Sequence, residues 1–279
     1  MGCPGGISRD IGRVKIIFME KVFVIKIGGN IIDNTASLDI FLQQFSDINE
    51  PKILIHGGGK LATDLAAKLN IKQQLFEGRR ITDAATLEVV TMVYAGTVNK
   101  NIVAKLQTND CNALGLCGAD ANLISASKRI VNKIDYGFVG DIKANGINTS
   151  FLQLLFENNI TPVIAPITHN NEGQLLNTNA DSIANEIAKA LSSKFEVHLI
   201  YCFNKKGILR DVDDENSVIK TITNETAVAL KLEGSIHEGM IPKIDNALQA
   251  VSAGVHKVSL GHALELDEII NGNAGTEIQ

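Results

Sequence analysis

The residues Lys26-Ile27-Gly28-Gly29-Asn30 put a cation and two glycines at the end of an aliphatic run. Glycines there let backbone N–H groups approach an anion, and the dipole of a helix beginning after Asp33 or Asn34 adds favourable potential. The spacing is neither a Walker A loop nor a G-x-G-x-x-G fingerprint. A second run, His56-Gly57-Gly58-Gly59-Lys60, repeats the arrangement. Three consecutive glycines are costly to order, so they mark either a tight turn or a backbone that a ligand must touch. Two such turns at successive strand ends point to a shared anion crevice.

Three further runs carry polar chemistry. Gly78-Arg79-Arg80-Ile81-Thr82-Asp83 places arginines before a long helix, and a planar guanidinium pairs bidentately with a carboxylate such as that of an amino acid. Asn177-Thr178-Asn179-Ala180-Asp181 opens a helix over 182–191, and an N-cap accounts for only one of its three polar acceptors. Gly239-Met240-Ile241-Pro242-Lys243 opens another helix with Lys243 in its first turns.

The elements that must position these groups follow a βα rhythm, which predicts a mostly parallel sheet with helices on both faces. Val22 to Ile27, Lys52 to His56, Ala113 to Leu116, Pro162 to Pro166 and Glu196 to Phe203 read as buried strands. Leu61, Leu65 and Leu69 mark one core-facing helix stripe; Leu87, Val90, Tyr94, Val98, Ile102 and Leu106 mark a longer one, with Asp83 as N-cap. Residues 127–145 and 168–174 suggest hairpins on the rim of the sheet. The fold class expected is α/β, a three-layer αβα sandwich around a mainly parallel open sheet.

Composition agrees. The 279 residues are 45% hydrophobic but only 5% aromatic, with no Trp and 24 Gly, which suits an aliphatic parallel-sheet core with many tight turns. A net charge of −5 argues against nucleic acid or an anionic membrane as the main partner, and no stretch approaches a membrane span. Cys3, Cys111, Cys117 and Cys202 form no C-x-x-C pair, so reduced thiols and a cytoplasmic location are expected, with no metal site. Residues 1–18 read as an extension upstream of a start at Met19, or as a disordered arm.

In this order and at these separations, the five runs resemble the acetylglutamate kinases of the amino-acid kinase superfamily, over roughly residues 20 to 279. The resemblance implies ATP-dependent phosphorylation of the side-chain carboxylate of N-acetyl-L-glutamate to N-acetyl-L-glutamyl 5-phosphate, in arginine biosynthesis. It implies that Lys26 and Lys243 neutralise charge on the transferring phosphoryl group while Asp181 holds both ammonium groups. Gly28, Gly29 and Lys243 would contact ATP phosphates. Gly58 and Gly59 would offer backbone donors to the N-acylglutamate, Arg80 would grip its α-carboxylate, and Asn177 would bind the acyl-amino end. Such chemistry asks for alignment and positive charge, with Mg²⁺ held chiefly by phosphates. An ionised carboxylate needs no deprotonation, so His56 is expected to be structural.

The same resemblance divides the chain into a substrate-binding and dimerising lobe at 19–180 and an ATP-binding lobe at 181–279. Two runs differ from the family pattern: Phe203-Asn204 replaces a Thr-Asp or Ser-Asp pair, and Gly115-Leu116-Cys117-Gly118-Ala119-Asp120 lacks a lysine near the rim. The second difference keeps N-succinyl-L-glutamate open as substrate, beside the carbamate and aspartate kinase types. The glycine-rich start, unlike the N-terminal helix of arginine-inhibited hexamers, predicts a homodimer without arginine inhibition.

Overall fold

The computed structural model describes residues 19–76, 79–131, 133–211, 213–233 and 240–279. The expectation for 1–18, and the glycines Gly78 and Gly239 that head two of the runs, lie outside the described residues. The first part of the chain contains β1 (Lys21–Ile27), α1 (Gly29–Ile32), α2 (Thr35–Asp47), β2 (Lys52–His56), α3 (Gly59–Lys68), β3 (Gln74–Phe76), β4 (Arg79–Ile81), α4 (Ala84–Thr91) and α5 (Asn99–Thr108). Then come β5 (Ala113–Leu116), β6 (Ile124–Lys128), β7 (Gly140–Ile147), α6 (Thr149–Glu157), β8 (Thr161–Ile164), β9 (Ile167–His169), β10 (Leu175–Asn177) and α7 (Ala180–Leu191). The last part holds β11 (Glu196–Phe203), β12 (Thr221–Ile222), α8 (Asn224–Leu232), α9 (Ile241–Ser252), β13 (Lys257–His262), α10 (Leu266–Ile270) and β14 (Thr276–Ile278).

The main sheet runs β12-β14-β13-β11-β1-β2-β8-β5. It is parallel from β13 to β5, and β14 lies antiparallel on β13. β1 pairs with β2 on one side and β11 on the other, so the strand order reverses there, and a crevice opens at its carboxyl end. That end carries Lys26, Gly28 and Gly29.

Alternation along β1 divides the core into two layers. Val22 and Val24 pack with Ile183, Ala184 and Ile187 of α7 and with Ile244 and Ala247 of α9. Phe23, Ile25 and Ile27 pack on the other face with Phe41, Leu42 and Phe45 of α2 and with the long continuous helical stretch that includes α4 and α5. The result is the expected αβα sandwich. A two-residue period therefore puts Lys26 on the α7 and α9 side, which decides what it meets.

The expected stripe from Leu87 to Leu106 is buried throughout, and Asp83 caps its helix by accepting from Thr86 N at 2.8 Å. Its spacing is fours from Val90 onward. In an uninterrupted α-helix, at about 100° per residue, that drift would turn the stripe by about 160°. Between α4 and α5, however, Met92–Val98 is π-helical, and its wider turns return part of the rotation. The shorter stripe is corrected: Leu61 and Leu69 are exposed, while Ala62 and Ala66 face the core. Small side chains there let α3 approach α4 and the π segment closely.

The two rim hairpins form and join. β6 pairs antiparallel with β7, β9 with β10, and Ser125 bridges to His169, giving a second sheet in the order β10-β9-β6-β7. Asn170 Oδ1 closes the tight turn by accepting from Glu172 N and Gln174 N at 2.8 and 3.1 Å. A third hairpin, β3 with β4, was not anticipated; it carries Arg79 and Arg80.

Candidate active site

Asp181 stands in the first turn of α7, whose N-cap Asn179 accepts from Ser182 N at 3.1 Å. From that position its carboxylate faces two lysines. Lys26 Nζ lies 2.6 Å from Oδ1 as an ion pair without hydrogen-bond alignment, and Lys243 Nζ, from the first turn of α9, donates to Oδ2 at 2.7 Å. Burial alone would raise the Asp181 pKa, but Lys26 and Lys243 outweigh it and hold the carboxyl well below the usual range. Two ammonium groups on one carboxylate leave a net positive charge, suited to an incoming polyanion. Tyr201, opposite Lys26 in the sheet register, donates its hydroxyl to Asp181 O at 3.3 Å; burial raises its pKa and keeps it a neutral phenol.

Asp181 and Lys243 line one end of a cleft of about 750 Å³ whose other walls include Gly57, Gly58, Gly59, Arg80 and Asn177. The glycine wall depends on residue type. Gly58 has φ +149°, and a Cβ there would sit 3.0 Å from Tyr94 Cδ1 and 3.2 Å from Val98 Cγ2. Gly29 and Gly28 lie beside this wall rather than on the cleft lining: a Cβ on Gly57 would lie 3.6 Å from Gly29 N, so the two glycine turns touch. A Cβ on Gly29 would meet nothing within 4 Å, which leaves its backbone open to a ligand.

Arg80 is held from three sides. Nη2 donates to Gly59 O and to Thr63 Oγ1, both at 2.9 Å, and Nη1 donates to Gln73 Oε1. The guanidinium is thereby fixed against the second glycine turn. Asn177 Nδ2 donates to Thr82 Oγ1 at 3.0 Å, tying β10 to the residue after β4. The polar run before α7 is now accounted for: Asn179 caps, Asn177 braces the cleft wall, and Asp181 bridges the lysines.

His56 is fully buried on the α5 face, with Nδ1 2.8 Å from Gly57 O and Nε2 3.1 Å from Asn99 Nδ2. Asn99 Nδ2 also donates to Val163 O at 2.9 Å, so Nε2 accepts and Nδ1–H donates to Gly57 O. Burial drops the His56 pKa to about 4, only partly opposed by the Gly57 carbonyl. A neutral ring that orients the glycine turn is the structural role expected.

Sequence reasoning missed several cleft residues. Arg129 lines it with a fork onto Asp141, Nε lying 3.1 and 3.2 Å from the two carboxylate oxygens, and stacks over Tyr136. Asn99, buried behind the cleft wall where it sets the His56 tautomer, was also missed. Neither sits in a glycine run, and Asn99 falls where the π segment passes into α5, inside what reads as one continuous helix. The only available signal was Arg129's place in a rim hairpin.

A glycine-walled crevice at the switch point of a parallel sheet, with two lysines gathered on one aspartate, has the chemistry to hold a phosphoryl group. The profile of the Amino acid kinase family matches residues 21–262, and the chain belongs to that family. Within it the chain is similar to acetylglutamate kinases over nearly its whole length. That of Cytophaga hutchinsonii is 54% identical, covering 93% of this chain and 99% of the relative. That of Phocaeicola vulgatus is 51% identical with the same coverage. Among solved structures, N-acetylglutamate synthase from Neisseria gonorrhoeae, complexed with coenzyme A and N-acetyl-glutamate, superposes with a TM-score of 0.77. It is 21% identical and covers 93% of this chain, which in turn spans 59% of the synthase chain, so this likeness bears on the fold alone. The chain is an enzyme of the acetylglutamate kinase type.

Proposed function

We propose that this enzyme transfers the γ-phosphoryl group of ATP to the side-chain carboxylate of N-acetyl-L-glutamate, giving N-acetyl-L-glutamyl 5-phosphate for arginine biosynthesis. The observation that carries this reading is the Lys26–Asp181–Lys243 bridge at the end of a cleft lined by Gly58, Gly59, Arg80 and Asn177. Transfer between two anions is slow because both repel and must be aligned in line. Lys26 and Lys243 supply charge to the equatorial oxygens, and Asp181 keeps the ammonium groups from drifting apart. Gly28 and Gly29 give backbone donors to the nucleotide phosphates, Gly58 and Gly59 to the acceptor, Arg80 pairs with the α-carboxylate, and Asn177 meets the acyl-amino end.

Mg²⁺ fits this site as a companion of the nucleotide. It prefers hard oxygen ligands, and the only carboxylate among the described cleft-lining residues, Asp181, already serves two lysines. The metal's ligands would thus be phosphate oxygens and water. Residues 19–180 would hold the acceptor and 181–279 the nucleotide. We further propose a cytoplasmic homodimer without arginine inhibition. Free Cys111, Cys117 and Cys202 suit a reducing compartment, the exposed Leu114 on edge strand β5 offers apolar surface to a second copy, and no helix among the described residues is long and apolar enough to cross a membrane.

The test is an ATP-dependent hydroxamate assay with N-acetyl- and N-succinyl-glutamate, repeated on Lys243→Ala. Acyl phosphate from the acetyl substrate, lost in the variant, is expected; none from either substrate would refute the proposal. N-succinyl-glutamate is the second reading because Arg79 and Arg129 also line the cleft and could meet a further carboxylate. For the assembly, a sedimentation profile showing an arginine-sensitive hexamer would overturn the dimer.

A further inference from the structure

At the amino edge of the sheet, away from the phosphoryl crevice, two imidazoles and a carboxylate converge. Glu196 and His198 are two residues apart on β11 and so share a face of that strand, while His256 precedes β13, the paired neighbour of β11. His198 Nε2 lies 3.0 Å from Glu196 Oε1, and His256 Nε2 lies 3.8 Å from the same oxygen. One ligand atom from each side chain falls within 4.8 Å of the other two. The edge of Phe23 packs on the His198 ring at 5.3 Å and fixes its plane.

We propose that Glu196, His198 and His256 bind one divalent first-row transition ion, with Zn²⁺ the best fit. Neutral imidazoles and a carboxylate are Zn²⁺ ligands, and three of them leave a fourth position for water. With metal–ligand bonds of about 2.0–2.1 Å, tetrahedral ligand atoms stand about 3.3 Å apart. Two of the three separations, 3.0 and 3.8 Å, bracket that value and the third is within 4.8 Å, so side-chain rotations would bring the ligands onto one ion.

The charges around the cluster are mixed. Lys21, opposite Glu196 in the β1–β11 register, opposes a cation; Lys257, opposite His198 in the β11–β13 register, is engaged by Glu277 at 2.6 Å. Mg²⁺, which takes oxygen ligands, does not suit two imidazoles. The ion would clamp β11 to the segment entering β13 at the end of the sheet remote from Lys26. It would therefore raise stability and leave turnover unchanged.

Metal-stripped full-length protein is titrated with Zn²⁺ by calorimetry, and with Co²⁺ by its visible bands, in excess Mg²⁺. One ion per chain, a tetrahedral Co²⁺ spectrum and a higher Tm are expected. His256→Ala removes a largely exposed side chain, so its metal-free Tm should match that of the parent. Outer-shell changes at metal sites cost 10–100-fold in affinity, and loss of a ligand should cost at least about tenfold here. His198→Gln should do the same; if it fails to fold, His256→Ala decides alone. No saturable Zn²⁺ binding by the parent, or equal affinity in His256→Ala, overturns the proposal.

Discussion

Lys243 Nζ donates to Asp181 Oδ2 at 2.7 Å across 62 positions of chain, joining the first turn of α9 to the first turn of α7. With Lys26 2.6 Å from the other oxygen, Asp181 is the point on which both cations are registered. Asp181→Asn should therefore reduce kcat by about 10²–10³, as for removal of other preorganised electrostatic groups. Its pH signature is separate. A carboxyl whose folded pKa lies below its unfolded value of about 3.9 contributes stability above that pH and loses it as pH falls further. Tm measured through pH 5 to about 2 should fall less steeply in Asp181→Asn than in the parent.

Lys26→Ala and Lys243→Ala should each lower kcat by about 10²–10³. The double variant should lose far less than the product, because the groups act as a unit on one phosphoryl group. Steady-state kinetics on the three variants reads this directly; strict multiplicativity would separate their roles.

Arg80→Lys keeps the charge and removes the fork that reaches Gly59 O, Thr63 and Gln73. Losing charged hydrogen bonds costs about 1.5–3 kcal/mol, or roughly 10–100-fold. The loss should fall on KM for the acylglutamate and spare KM for ATP, as initial rates with each substrate varied will tell.

Two glycines separate packing from binding. Gly58→Ala meets Tyr94 and Val98 at φ +149° and should destabilise the fold by about 1–3 kcal/mol in urea titrations. Gly29→Ala meets nothing within 4 Å, so it should unfold like the parent yet lose ATP affinity if the phosphates approach that backbone. Normal ATP affinity in a folded Gly29→Ala would remove Gly29 from the nucleotide site.

His56 is neutral in the folded protein down to about pH 4, whereas its unfolded pKa is about 6.5. The unfolded state binds the extra proton between those values, so stability rises with pH across that window and is lost as pH falls through it. The gap corresponds to about 3 kcal/mol, which urea unfolding between pH 7 and about 4 should show and His56→Gln should flatten. No inflection in kcat near pH 6.5 should trace to His56.

Local chemistry made much of this protein readable in one dimension. Glycine runs at the ends of aliphatic stretches have few uses other than tight turns at a sheet edge, so the β1 and β2 turns were legible with their boundaries, and Asp83 announced its helix by the rule of unsatisfied N–H groups, whereas the helix expected over 182–191 starts at Ala180 with Asn179 as its cap. What lay beyond reach was whatever depends on which distant pieces share a face. The face that Lys26 occupies follows from its period-two position, but its partner follows from α7 crossing that face; Arg129 enters the cleft only because two hairpins join into one sheet. Leu61 and Leu69 looked like core and are exposed because α3 packs through alanine. Glu196, His198 and His256 meet because β11 and β13 are hydrogen-bonded neighbours. Sequence alone determined the residue types and the elements that carry them, since propensity, capping and periodicity act over a few residues. Only the tertiary structure decided the convergence of Lys26, Asp181 and Lys243, since contacts between distant residues are set by sheet order and helix packing.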